Sequence, residues 1–204
     1  MRSRSRDVTD TCRLVVQLTE GSKLKHLDVS YNAMLGVPAS ALTSSLGTLQ
    51  SLRLIQVQIS DSQLETLMVG LTGRHSLHTL ELHGLSVDNL EPQLFASALS
   101  HVHTVIVHNT FGYSVTKDQL ARLFIQVSQE KQNKLRNFHL ILGDLVDISL
   151  LVLESFLLSD VDVRLSDCSL SEIQFQYFRH KERINISTNF DSFESSVNLT
   201  NYVD

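Results

Sequence analysis

Leucine occupies positions 1, 4, 6 and 9 of the stretch LHTLELHGL, residues 77–85, with polar side chains between. Successive side chains of a strand point to opposite faces, so Leu80 and Leu82 share one face while Glu81 and His83 share the other. The pattern recurs as LKHLDVSYN from Leu24, LQSLRLIQV from Leu49, VHTVIVHNT from Val102, LRNFHLILG from Leu135 and DVDVRLSDC from Asp160. ERINIST, around residue 184, reads as a seventh, truncated strand. The starts of the six full units lie 25, 28, 25, 33 and 25 residues apart. A short repeat therefore alternates with a longer one, and such regular recurrence is the mark of a repeat array.

The segments between these strands carry helix start signals and apolar stripes. In the short repeats, VPASALTSSL has Pro38 placed for a first helical position, VDNLEPQLFASAL carries Asp88 and VDISLLVLESFLL carries Asp147. In the long repeats, Ser60-Asp61-Ser62 precedes QLETLMVGL, and Thr116 with Gln119 forms a capping box ahead of LARLFIQV; LSEIQFQYF from Leu170 repeats the theme. One strand and one helix cannot bury their leucines alone, so neighbours must stack. The expected fold class is α/β, a right-handed horseshoe solenoid with a parallel β-sheet on its concave face and helices on its convex face. The repeat domain is expected over residues 8–187, between a flexible N-terminus at 1–7 and a polar tail at 188–204. Phe190 and Phe193 in that tail are candidates to fold back over the last repeat.

The unit LKHLDVSYN matches LxxLxLxxN, and LSDCSL matches the LxxCxL variant, so the chain resembles leucine-rich repeat proteins of the ribonuclease-inhibitor-like class. It is also similar to repeat arrays of intracellular nucleotide-binding-type receptors and to repeat arrays of invertebrate animals. The resemblance implies a non-catalytic protein-interaction module, the scaffold or ligand-sensing part of a larger protein. A regulatory subunit that stimulates a GTPase or other enzyme, or an extracellular recognition array, are the alternatives it leaves open. The ninth position departs from the family's asparagine, reading Asn32, Val57, Leu85, Thr110, Gly143 and Cys168. DVTDTCRLVVQL, ahead of the first unit, reads as the helix of a repeat whose strand is missing.

Composition narrows the function classes. The chain has 204 residues, 42% of them hydrophobic, enough for one substantial core. A net charge of -5 provides no broad basic surface for nucleic acid, and the one basic cluster, Arg2, Arg4 and Arg6, falls in the frayed terminus. Cys12 and Cys168 form neither a disulfide framework nor a zinc spacing, which favours a reducing, cytoplasmic setting. The apolar stretch at residues 140–158 contains Asp144, Asp147 and Glu154 and reads as a strand plus a buried helix, so no membrane association is expected. No phosphate-cradling glycine loop, nucleophile elbow or cysteine–histidine motif is visible. No catalytic residue, metal, cofactor or small-molecule substrate is therefore expected, and the expected partner is a protein.

Positions 3, 5 and 7 of each unit face away from the leucine core and form an addressable grid. Position 5 reads Asp28, Arg53, Glu81, Ile106, His139 and Arg164; position 7 reads Ser30, Ile55, His83, His108, Ile141 and Ser166. His83 and His108 should be neighbours, a pair suited to a polar surface, a proton-linked switch or a shared metal with Glu81 or His139 as a further ligand. The long repeat from Val102 carries five residues more than the one from Leu49, three of them in NTFGYSVT, where Phe111 and Tyr113 should project at the rim. The expected partner contact therefore comprises Arg53, Glu81, His83, His108, His139, Phe111 and Tyr113.

Overall fold

The computed structural model describes residues 24–31, 34, 37–73, 75–110, 114–129, 133–178 and 184–187. Among these residues seven strands alternate with six helices: β1 (His26–Asp28), α1 (Ala39–Ser45), β2 (Ser51–Ile55), α2 (Asp61–Thr72), β3 (Thr79–His83), α3 (Pro92–Ser100), β4 (Thr104–His108), α4 (Lys117–Gln129), β5 (Asn137–Ile141), α5 (Leu150–Leu157), β6 (Asp162–Ser166), α6 (Glu172–Phe178) and β7 (Ile184–Ser187). The strands form one sheet in chain order, and every pair is parallel. This is an α/β repeat architecture.

The six full units align position for position. Leu27, Leu52, Leu80, Val105, Phe138 and Val163 are successive partners at position 4, and Leu54, Leu82, Val107, Leu140 and Leu165 at position 6. These side chains are buried in one continuous core with Leu64, Leu67, Phe95, Leu99, Leu120, Phe124 and Phe156 of the helices. Burial of such apolar area supplies the main stabilisation of a stacked array, because no repeat closes a core by itself. Phe124 and Phe156 stack at 4.4 Å, and Phe138 meets each of them edge-on. Where the core meets the sixth unit, Gly143 replaces the usual side chain because a Cβ there would lie 2.3 Å from Leu140 Cδ2.

Position 8 ends each strand with a sharp turn. Tyr31, Gln56, Gly84, Leu142 and Asp167 all have positive φ, between 48° and 60°. Their amides still extend the sheet's hydrogen bonding: Tyr31 N–H donates to Ile55 O, Gln56 to His83 O, Gly84 to His108 O and Leu142 to Ser166 O. Asn109 is the exception, with no positive φ and a buried side chain.

The long repeats are fastened to the short repeats before them by a device that spacing alone did not reveal. Ser60, Thr116 and Ser171 each form a capping box with the glutamine three residues on, namely Gln63, Gln119 and Gln174. Each glutamine amide then donates across the repeat boundary: Gln63 to Met34 O and Val37 O, Gln119 to Val87 O and Leu90 O, Gln174 to Leu145 O and Ile148 O. All three glutamines are buried. The alternation of short and long units is thus an alternation of stapled and stapling partners.

Three sequence expectations need correction. Asp88 and Asp147 do not start helices: α3 begins at Pro92 and α5 at Leu150, after a turn, and Asp147 instead pairs with Lys117 of α4. Pro38 precedes α1 instead of opening it. Residues 140–158 do divide into the end of β5 and α5, but α5 is not buried all round, since Leu151 is 73% and the following Leu158 75% exposed. No described helix is long and apolar enough to cross a membrane. The expectations for residues 1–7, 7–18 and 188–204, for Phe190 and Phe193 and for Asn32 lie outside the described residues.

Candidate binding face

With positions 4 and 6 committed to the core, positions 3, 5 and 7 line the sheet's other face, which the helices leave uncovered. Along position 5, register places Asp28 beside Arg53, Arg53 beside Glu81, and Ile106 between Glu81 and His139. Arg53 bridges both acids, with Nη1 3.6 Å from Asp28 Oδ2 and Nε 2.9 Å from Glu81 Oε2. The Ser30 hydroxyl and amide, and then Arg53, hold the Asp28 carboxyl below its usual range. These charges therefore satisfy one another, although at their exposure the pairs add little stability.

His83 and His108 are brought together as the spacing requires, with ring centroids 4.0 Å apart and planes inclined by 21°. Burial, then the neighbouring His108 and Arg53, hold His83 below the ordinary imidazole value, while Glu81 opposes this. His139 lies one strand on; Nε2 is 2.9 Å from Ser166 Oγ, and burial, Arg164 and His108 lower its pKa. Among the described residues no group of three or more histidines, cysteines or carboxylates could hold a metal ion. Ile55 departs from the expected open position: it is buried, though outside the core cluster, on the face where Ile106 and Ile141 are half-buried.

Phe111 and Tyr113 lie outside the described residues, but the base of their loop is defined. Asn109 Oδ1 accepts from the Val115 amide at 3.0 Å, while Asn109 Nδ2 donates to Leu142 O at 3.3 Å. Asn109 thus ties two backbone segments together from position 8, and Cys168 does the same from position 9, accepting from the Gly143 amide and donating to Leu140 O. Comparing only ninth positions missed Asn109; its adjacency to that position was the signal.

A second imidazole pair was also missed. His78 and His103 stack at 4.1 Å with planes inclined by 18°. Both occupy position 2 of adjacent units, so the argument that paired His83 with His108 applies equally to them. Burial, His78 and Arg136 lower the pKa of His103. The face offers stacked imidazole rings, paired charges and aliphatic patches, which suit recognition. The buried Cys168 thiol, pushed up to about 11 by burial, is a poor nucleophile at neutral pH.

No family model matches the chain, and no curated protein matches it.

Proposed function

We propose that this chain is a leucine-rich repeat module of the horseshoe type, working inside the cell, whose concave sheet face binds a protein partner without catalysing a reaction. The observation that carries this reading is the residue-for-residue register of positions 3 and 5 across six strands and of position 7 across five, on a face backed by continuous core. Side chains mounted on a packed sheet are already ordered, so little further freedom is lost when a partner docks. Ile106 stands at the middle strand of that grid, between Glu81 and His139. Arg53, Glu81, His83, His108 and His139 surround it, and Phe111 and Tyr113 are proposed as aromatic anchors on the rim. The free, buried thiol of Cys168 is compatible with a reducing compartment.

The test is capture of a partner from the native source, followed by binding measurements on variants. Ile106→Asp should abolish binding, and replacing Phe111 and Tyr113 by alanine should weaken it by roughly 1 to 4 kcal/mol with little change in melting temperature. Normal binding by all of these variants, with loss on substituting the exposed helix positions Val69 or Leu151 instead, would assign recognition to the opposite side of the array.

A further inference from the structure

Cationic and imidazole side chains gather on one half of the open face. His83 and His108 stack on β3 and β4, His139 follows on β5 and Arg164 on β6. Just ahead of β3, β4 and β5, at position 2 and outside the grid of positions 3, 5 and 7, His78 and His103 stack, with the exposed Arg136 close enough to lower the pKa of His103. The other half is electrically closed, because Arg53 lies between Asp28 and Glu81. Arg164, by contrast, forms no salt bridge among the described residues, and the ring nitrogens of His83 and His108 have no hydrogen-bond partner among them.

The charged groups facing these rings are few. β2 contributes Arg53, already paired; β3 contributes Glu81, held by Arg53; β4 contributes only its histidine; β5 contributes His139, with Arg136 just before it; and β6 contributes Asp162 and Arg164. Glu81, shared with Arg53, is the acid whose charge acts on His83, whereas Asp162 stands at position 3, at the other end of its strand from the position-7 rings.

We propose that this half of the face binds an extended acidic segment of a partner protein, rich in aspartate and glutamate, and takes up protons as it does so. The proposal rests on the reading of this face as a protein-binding surface and names the chemistry of the partner. A carboxylate set over two stacked imidazoles accepts N–H from one or both and supplies the negative charge that favours their protonation. By linkage, whatever makes the rings take up protons on binding makes binding tighter as pH falls toward the histidine range. The depression of His83 and His139 by burial and by neighbouring positive charge agrees with rings that await a counter-charge. A nucleic acid is a poorer fit: Arg136 and Arg164 are too few to neutralise a phosphate backbone, on a chain whose net charge is -5.

The experiment titrates the full chain with an oligoglutamate peptide at about pH 8 and about pH 6, with oligolysine and a single-stranded oligonucleotide as comparisons. Affinity for oligoglutamate is expected to rise about tenfold at the lower pH, the equivalent of one unit of pKa gained on binding. The double variant His83→Gln, His108→Gln should lose most of that dependence, and Arg164→Gln should weaken binding at both pH values. Absence of oligoglutamate binding, tighter binding of the oligonucleotide, or an unchanged pH dependence in the double variant would overturn the proposal. The two readings separate cleanly. If Ile106→Asp abolishes binding of the captured partner while oligoglutamate fails, the face stands and the acidic assignment falls; if Ile106→Asp binds that partner normally, the face itself is wrong.

Discussion

Gln119 shows how much one side chain decides. It is fully buried, and its amide bonds Val87 O at 2.7 Å and Leu90 O at 3.1 Å. Gln119→Leu should lower stability by about 2 to 4 kcal/mol in denaturant titration, because two buried carbonyls lose their donor and the capping box loses one arm. Gln119→Glu separates hydrogen bonding from packing. A carboxylate facing carbonyl oxygens is disfavoured in its charged form, so its folded pKa is raised. Its penalty should be largest at neutral pH and shrink as pH falls and the protonated acid again donates; a penalty independent of pH would mean that shape alone is at issue. Leu142 presents the opposite case. It sits at φ 56° and is 49% exposed, so its side chain gains little there while its backbone is strained. Leu142→Gly should raise the unfolding midpoint by the equivalent of about 1 kcal/mol. Asn109→Gly should lower it, because Asn109 lacks the positive φ and loses two hydrogen bonds.

At the scale of elements, the glutamine staples divide the array into pairs. Each links the helix of a long repeat to the loop after the preceding short strand, and Gln63, Gln119 and Gln174 recur 56 and 55 residues apart. Lys117 adds a second kind of joint across the next boundary, pairing with Asp144 at 3.1 Å and with Asp147. Those carboxylates raise the Lys117 pKa, yet the lysine is exposed, so the joint is weak beside a buried amide. The difference is measurable with fragments. A chain starting near His75 keeps Gln119 with Val87 and Leu90, whereas one starting near His101 orphans it. The second should lose far more helical signal by circular dichroism than one missing strand and helix explain; a loss merely proportional to length would show that all repeat boundaries are equivalent.

For the whole molecule, the histidines set the response to pH. His75, His83, His103 and His139 all have pKa values below the ordinary 6.5 in the folded state, chiefly through burial. The unfolded chain then binds protons more readily over the range in which these rings titrate. Their contribution to stability is present above the unfolded value and is lost as pH falls through the folded ones. The melting temperature should therefore drop on going from about pH 7.5 to about pH 5.5, and replacing His83 and His139 by glutamine should flatten that fall. A melting temperature that rises over this range would contradict the assigned environments. An acidic partner seated on the same rings would reverse the trend, because it supplies the charge that the isolated face lacks.

Much of this protein could be read directly from its sequence because strand and repeat geometry are periodic. Leucines at positions 1, 4 and 6 must share a face, and parallel neighbours with equal unit design must align. Seven strands in chain order, the ladder from Asp28 to Arg164 and the adjacency of His83 and His108 followed from spacing alone; that the two rings stack did not. Helix starts were harder to read in the short repeats, where Asp88 and Asp147 resemble caps but belong to turns. The tertiary structure decided what periodicity does not encode. Gln63, Gln119 and Gln174 look like ordinary capping residues until the preceding loop turns its carbonyls toward them. Asn109 looks like an exposed strand end until Leu142 O of the next repeat accepts from its amide. His78 and His103 are neighbours by spacing at position 2, but that their rings lie face to face is decided by the sheet. In each case the partner lies about one repeat away in sequence, and only packing determines which of a side chain's possible hydrogen bonds or contacts is made.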